Sequence, residues 1–186
     1  HNRCRRQRQM CIRDRHKPSP QELADFDARL KAARTPPHAA TALIRDIAMT
    51  APDTHPMSAL RTAVSMAGHL DHQCEDNGPE AELAKSIRLT AMIPTLIGAH
   101  QTALEGKHEV HPDPELSHAG NLLWCMTGEK PGELATKVMD VSLVLYAEHD
   151  FNASTFTSRV VASTNSDLHS SVSVSYTHLT LPTTPV

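Results

Sequence analysis

The chain has 186 residues, of which 39% are hydrophobic and 3% aromatic, with 18 Lys and Arg against 21 Asp and Glu. This length suffices for one domain with a sizeable core, or for part of a larger domain. A core with so few aromatic residues is built from Ala, Leu, Ile, Val and Met, which predicts an all-α fold. The longest apolar run, near 141–147, is far shorter than the roughly 18 residues of a membrane span, so we expect a soluble protein and no membrane partner.

The two ends of the chain differ in composition from its centre. Residues 1–17 hold seven of the 18 Lys and Arg against one acid. Clustered Arg can neutralise nucleic-acid phosphates, but this arm has no aromatic residue and no helical periodicity, so we expect no nucleic-acid partner. Residues 1–15 and 174–186 resemble adaptor read-through at the ends of assembled reads. We therefore expect both segments to be non-native and 16–173 to be the genuine body.

Helix signals begin at Ser-Pro-Gln-Glu, residues 19–22. A capping Ser, a Pro in the first turn and a Glu three residues after the cap predict a helix over 20–34. Leu23, Phe26 and Leu30 recur at steps of three and four, which predicts that they form its buried stripe. Further Pro-led starts predict helices over 38–50 and 56–70.

Four more helices are predicted downstream of a polar loop. The first covers 79–105, where Pro94 should introduce a kink. The second covers 116–127 and ends at Gly128, the third covers 131–149, and the fourth covers 153–168 with Asn152 as its cap. No internal repeat is present, so the pattern predicts a multi-helical domain rather than a helical-repeat scaffold.

The run 142–161 contains Tyr-Ala-Glu-His at 146–149 and Phe-Asn-Ala-Ser-Thr-Phe-Thr at 151–157. It resembles the citrate synthase family, and bacterial 2-methylcitrate synthases in particular. His-Pro-Met at 55–57, Ile-Pro-Thr at 93–95 and Ser-His-Ala-Gly-Asn-Leu-Leu at 117–123 are similar to segments of the same family. Asp150 departs from the usual Glu but keeps its charge. The resemblance covers about residues 16–173 and implies a central part of the citrate synthase large domain.

The predicted junction between two helices carries the candidate site. His149 falls at a helix C-terminus, whereas Asn152 and Ser154 fall at the free amide groups of the next N-terminus, which favour an anion. Without the resemblance, His149 is better explained as a partner of the helix dipole than as a ligand. The resemblance implies that His149 binds oxaloacetate and that Ser154 helps to position a catalytic histidine, with Asn152 in the same substrate-binding pocket.

The implied reaction condenses oxaloacetate with an acyl-CoA, either acetyl-CoA to give citrate or propionyl-CoA to give 2-methylcitrate. Acyl-CoA is a substrate here, and the resemblance implies no cofactor. The family's Gly-Pro-x-His-Gly-Gly-Ala-Asn motif should follow residues 166–170, but these 186 residues do not contain it. We therefore expect no catalytic residue in this chain and no turnover by the chain alone. The family works as a homodimer.

Thirteen histidines invite a metal interpretation, with His108-Glu109-Val110-His111 the densest run, followed by His69, Asp71 and His72. Neither shows the three or four converging ligands of a zinc site, so we expect no metal. Four cysteines without a Cys-x-x-Cys pair favour a reduced, cytoplasmic setting.

A non-enzymatic α-helical interaction module is the alternative to an enzyme fragment. Extending the open reading frame distinguishes the two, because only the enzyme predicts the glycine- and histidine-rich motif downstream.

Overall fold

The computed structural model describes residues 18–147 and 152–176 of the chain. Within those residues every regular element is an α-helix, which confirms the all-α prediction. The eight helices are α1 (Pro20–Ala32), α2 (His38–Thr50), α3 (Pro56–His69), α4 (Pro79–Leu104), α5 (His118–Thr127), α6 (Glu133–Tyr146), α7 (Ala153–Ala162) and α8 (Leu168–Tyr176).

The helix ends follow the local sequence signals. Ser19 Oγ accepts a hydrogen bond from the Glu22 amide at 3.2 Å, and Glu22 Oε2 accepts one from the Ser19 amide at 2.7 Å, which completes the predicted capping box. Ser117 caps α5 in a similar way, through the Gly120 amide at 3.1 Å. Gly128 ends the same helix with φ 74°, a left-handed conformation that glycine adopts without strain.

Helix α4 is the axis of the fold, because α1, α2, α3, α5 and α8 all contact it. It is continuous through Pro94, and side chains all around its middle turns are buried. The main core joins it to α2 and α3 through a set of mostly small aliphatic residues: Ala40, Ile44, Ala59, Leu60, Ala63, Val64, Ala67, Leu89, Met92, Leu96 and Ala99. Such an all-aliphatic core is what the low aromatic content predicts.

A glycine sets the spacing between α4 and α5. A Cβ atom built on Gly98 would collide with the backbone carbonyl of Cys125, a residue that is itself fully buried. The contact is with backbone rather than with a flexible side chain, so it cannot be relieved by a change of rotamer. The two helices therefore pack at a distance that only glycine allows at position 98.

The prediction of one helix over 153–168 is wrong, because the structure has two helices there. α7 ends at Ala162, and Asn165 takes φ 64°, a left-handed conformation that Asn tolerates better than most residues. Asp167 then starts α8, since its Oδ1 accepts a hydrogen bond from the Ser170 amide at 2.8 Å. This break lets α8 turn back and pack on α3.

The buried stripe predicted for α1 is correct for Leu30 alone. Leu30 is 6% exposed, whereas Leu23 and Phe26 are 57% and 45% exposed. Among the described helices α1 contacts α4, and the buried residue lies near its C-terminal end. The N-terminal part of the stripe therefore remains exposed among residues 18–147 and 152–176.

Helices α6 and α7 have no buried residue among those the structure describes. Their exposed apolar side chains include Leu134, Val138, Val141, Leu145, Phe156 and Val160. An apolar surface of this extent is typical of a face that another protein surface covers.

Across the described ranges, no helix is both long and apolar enough to span a bilayer.

The Gly98 contact predicts a sharp effect of one methyl group. Gly98→Ala should lower the free energy of unfolding by at least about 2 kcal/mol, since overpacking against backbone forces α4 and α5 apart. Urea unfolding followed by circular dichroism measures this loss. Gly132→Ala is the control, because no atom lies within 4 Å of a Cβ there, and it should cost less than about 1 kcal/mol. Equal effects of the two substitutions would contradict the proposed spacing role.

Candidate functional site

The candidate site lies at the junction between α6 and α7. α6 ends at Tyr146, and α7 begins at Ala153 with Asn152 as its N-cap. His149, the predicted oxaloacetate ligand, falls in the segment 148–151, outside the described residues. The structure therefore places two of the three predicted site residues, Asn152 and Ser154, on the same helix start.

Asn152 has the capping role that the sequence predicts. Its Oδ1 accepts a hydrogen bond from the Thr155 amide at 2.9 Å, with the backbone in an extended conformation. The backbone carbonyl of Asn152 also accepts the first helical bond, from the Phe156 amide at 3.0 Å. Asn152 therefore fixes where α7 starts, and with it the direction in which the first amide groups of the helix point.

Ser154 carries an unpaired hydroxyl. Its Oγ is shielded from solvent and makes no hydrogen bond to any of the residues that the structure describes. Leaving a buried hydroxyl unpaired costs about 1–3 kcal/mol, and such groups are rare enough in proteins to need an explanation. A polar partner supplied from outside the described residues would explain the unpaired hydroxyl. A serine that positions another side chain by a hydrogen bond would lack its partner in the same way.

The start of α7 is electrostatically suited to an anion. The helix dipole places partial positive charge there, and the first amide groups have no acceptor within the helix. Of these, the Thr155 amide is taken by Asn152. The remaining first-turn donors, beside Ser154, are of the type that binds carboxylates.

The junction is anchored to the core by two separate routes. α6 packs on α5, which packs on α4, whereas α7 packs on α8, which packs on α3 and α4. One contact between α7 and α8 is the hydrogen bond from Ser158 Oγ to the Ser171 carbonyl, at 3.1 Å. α6 and α7 are therefore both connected to the same central helix, one through α5 and the other through α8.

Three cavities of the described part of the chain lie away from the junction. Cavities of about 530, 490 and 310 Å³ lie elsewhere, and neither Asn152 nor Ser154 lines any of the three. Tyr146, at the end of α6, is 79% exposed. A small-molecule site normally buries most of its ligand, so a substrate here requires walls that these residues do not supply.

Neither histidine run weighed for metal binding forms a ligand cluster of its own among the described residues. The His111 side chain is 82% exposed, and its Nδ1 lies 3.8 Å from Glu109 Oε1. Asp71 instead pairs with Arg88 Nη2 at 2.8 Å and lies 3.6 Å from His169 Nε2. Next to it, Cys74, Asp167 and His169 bring three ligand-type atoms together. Sequence reasoning missed this group, because Cys74 and His169 are 95 residues apart and only the Asp-x-His spacing gave a local signal.

Comparison with known proteins assigns the chain to a family. The family described as "Citrate synthase, C-terminal domain" matches residues 10–182. The chain is 45% identical over 161 residues to the citrate synthase of Deinococcus radiodurans, which covers 87% of the chain and 42% of that protein. It is 37% identical over 156 residues to the 2-methylcitrate synthase of Mycobacterium tuberculosis, covering 83% of the chain and 38% of the relative.

Solved structures give the same result for the fold. The citrate synthase of Pyrobaculum aerophilum superposes with a TM-score of 0.84 at 33% identity, over 95% of this chain and 46% of that one. The Thermotoga maritima enzyme gives a TM-score of 0.76 at 26% identity, over 93% and 44%. The chain thus spans less than half the length of these proteins.

The Asn152 cap predicts how two substitutions differ. Asn152→Ala should lower the free energy of unfolding by about 1 kcal/mol, because the Thr155 amide loses its acceptor. Asn152→Asp keeps an acceptor and adds favourable charge at the helix start, so it should stay within about 0.5 kcal/mol of the parent. Urea unfolding of the three proteins measures both. A loss of the same size in both variants would show that the cap is not what Asn152 contributes.

Proposed function

The chain belongs to the citrate synthase family, and we propose on that premise that it is a large-domain part of an acyltransferase. The reaction is the condensation of oxaloacetate with an acyl-CoA. The single observation that carries the site assignment is the start of α7, where Asn152 orients free amide donors and Ser154 holds a shielded, unpaired hydroxyl. The first feature suits a dicarboxylate, and the second suits a serine that positions a catalytic side chain.

The chemistry requires three steps. A base removes a proton from the carbon next to the thioester carbonyl, and the resulting enol attacks the keto carbon of oxaloacetate to form the new carbon–carbon bond. Water then cleaves the thioester and releases CoA. The keto oxygen gains negative charge during attack, so a fixed donor beside it accelerates the step.

We assign that donor to His149. The sequence puts it three residues before Asn152, and in this proposal its ring contacts a ligand at the start of α7. An imidazole N–H can donate to the keto oxygen while the helix amides attract a carboxylate. Ser154 acts differently, because its hydroxyl would bond to a catalytic histidine contributed by a part of the enzyme beyond these residues.

The acyl donor is acetyl-CoA or propionyl-CoA. Relatives of comparable identity are named for both products, including a "Citrate/2-methylcitrate synthase" of Bacillus subtilis at 35% identity over 152 residues. Tyr146 is the 2-methylcitrate-like choice in this sequence, and it lies at the end of α6 beside the junction. We favour propionyl-CoA on that residue.

The exposed apolar faces of α6 and α7 support a homodimer. In this proposal the rest of the subunit and a second copy cover Leu134, Val138, Phe156 and Val160, which are each about half exposed or more. Burying such side chains is the main source of stability of permanent interfaces.

We place the enzyme in the cytoplasm. Cys74 and Cys125 are free thiols in the structure, and thiols stay reduced in that compartment.

A hybrid enzyme tests the site residues. Residues 16–173 would replace the matching part of the Deinococcus radiodurans citrate synthase, and release of CoA would be followed with oxaloacetate and each acyl-CoA. We expect an active hybrid. His149→Ala should lower kcat/KM by about 10²- to 10³-fold, the usual effect of losing one fixed donor at a developing oxyanion. Ser154→Ala should lower it by about 10- to 100-fold, because a histidine loses its positioning bond.

Two controls distinguish function from folding. Ser163→Ala removes a hydroxyl at the other end of α7, where it bonds the Val160 carbonyl, and it should leave kcat/KM within about twofold because it lies outside the site. In the 186-residue chain alone, Ser154→Ala should leave stability unchanged or raise it, since none of residues 18–147 and 152–176 forms a hydrogen bond with the hydroxyl. A hybrid that retains full activity without both His149 and the Ser154 hydroxyl would rule out the assignment.

The chain by itself should be inactive. The motif that carries the second catalytic histidine is absent from these 186 residues, so neither proton abstraction nor thioester hydrolysis has its acid–base group. Purified chain mixed with oxaloacetate and acetyl-CoA or propionyl-CoA should release CoA no faster than a sample without protein. Release above that rate, reproduced in an independent preparation, would refute this expectation.

A further inference from the structure

A polar cavity separate from the α6–α7 junction lies where the loop after α3 meets the start of α8. Its volume is about 310 Å³, and its lining includes Ser65, His69, Cys74, Asp167, His169 and Ser170. Four of these residues carry side chains that commonly bind transition metals, and three of the four, Cys74, Asp167 and His169, form one group. Nothing in the proposed condensation uses them.

The three side chains converge on one point. One ligand atom each from Cys74, Asp167 and His169 lies within 4.8 Å of the other two, and Cys74 Sγ is 4.0 Å from His169 Nδ1. Usual zinc–ligand bond lengths in a tetrahedron put such atoms about 3.4–3.6 Å apart. Small side-chain rotations therefore bring the group from its present spacing to that of a bound ion.

The orientation of the His169 ring is set by Asp71, which lies on the side of the ring away from Cys74. Its ring is 2% exposed, and Nε2 faces Asp71 Oδ2 at 3.6 Å. Asp71 is itself fixed, because Arg88 donates to both of its carboxylate oxygens at 2.8–2.9 Å and the Gln73 amide donates at 3.0 Å. A carboxylate behind the ring favours the tautomer protonated on Nε2, which leaves the Nδ1 lone pair directed at Cys74. Metal-binding histidines commonly have such a carboxylate beside the ring nitrogen that does not bind the metal.

The other two ligands are available and anchored. Asp167 uses Oδ1 to cap α8 through the Ser170 amide at 2.8 Å, and a carboxylate has a second oxygen that can bind an ion. Cys74 is held by its carbonyl, which accepts a hydrogen bond from Lys85 Nζ at 3.0 Å. The cap and the backbone bond fix both residues without using all of their ligand atoms.

The charges around the cavity permit a cation. Lys85 and Arg88 face it from α4, but Lys85 pairs with Glu82 and donates to the Asp76 carbonyl at 2.8 Å, and Arg88 pairs with Asp71. From the loop and from α8, Asp71, Glu75, Asp76 and Asp167 contribute negative charge. The two bases are thus already neutralised by partners, and the acidic groups outnumber them.

A nucleophilic role for Cys74 is a poorer fit. Burial, together with the Asp167 carboxylate, raises the pKa of the Cys74 thiol to about 11. A nucleophilic cysteine requires the opposite shift, because the thiolate is the reactive form. A metal ion can instead displace the thiol proton to solvent as it binds.

We propose that Cys74, Asp167 and His169 bind one thiophilic divalent ion of the Zn²⁺ type, with a fourth coordination position open to the cavity. The ion would tie the loop 70–78 to α8 and so stabilise the helix that supports α7. The site does not depend on the acyl-transfer proposal, since none of its residues lies at the α6–α7 junction.

Cobalt titration tests the proposal. The protein is the 186-residue chain with Cys4→Ser and Cys11→Ser, so that Cys74 and Cys125 are its remaining thiols. We expect one equivalent of Co²⁺ to give a thiolate-to-cobalt charge-transfer band that Zn²⁺ removes. Cys74→Ser should abolish the band, and Asp167→Asn, which keeps the helix cap, should weaken Co²⁺ binding at least tenfold. Cys125→Ser is the matched control and should keep the band.

No band in the parent, or a band that survives Cys74→Ser, would overturn the proposal. Alkylation gives a second readout that needs no folded variant. Zn²⁺ should slow the reaction of Cys74 with iodoacetamide at least tenfold, measured by mass spectrometry. The alkylation rate of Cys125 should be the same with and without Zn²⁺. Equal labelling of Cys74 with and without Zn²⁺ would likewise reject the site.

Discussion

The fold depends on how closely other helices approach α4. Gly98 lets the backbone of Cys125 lie where a Cβ atom would otherwise be, and small core residues of α2 and α3, among them Ala40 and Ala63, let those helices lie close to α4. Two arms connect to this one helix, α5 with α6 and α8 with α7. The candidate site lies where the ends of the two arms come together, so its geometry is inherited from packing around α4.

Much of the fold could be predicted from local sequence. The Ser19 capping box and the Gly128 helix end give the same elements in sequence and structure, because these signals act within one or two turns. The break between α7 and α8 was missed, since its cause is a left-handed Asn165 followed by the Asp167 cap. The exposure of Leu23 and Phe26 could not be predicted either, because burial depends on which neighbours are present.

Some features of the site could likewise be predicted from local sequence, whereas others depend on tertiary contacts. Asn152 was predicted as a cap and forms one, because capping needs only its own helix. The unpaired hydroxyl of Ser154 could not be predicted, since hydrogen-bond satisfaction depends on the whole surroundings. Cys74, Asp167 and His169 do not form a local sequence motif, because Cys74 is distant in sequence from the other two. Its members are brought together only when α8 folds back onto α3, a contact that no local pattern encodes.

The central claim is that the junction of α6 and α7 holds oxaloacetate. The most direct test is a crystal structure of the hybrid enzyme with oxaloacetate bound. The account predicts the His149 ring within hydrogen-bond distance of the keto oxygen or a carboxylate, and Ser154 Oγ bonded to an imidazole from the downstream part. Oxaloacetate bound elsewhere, with the His149 ring in bulk solvent and Ser154 still unpaired, would contradict it.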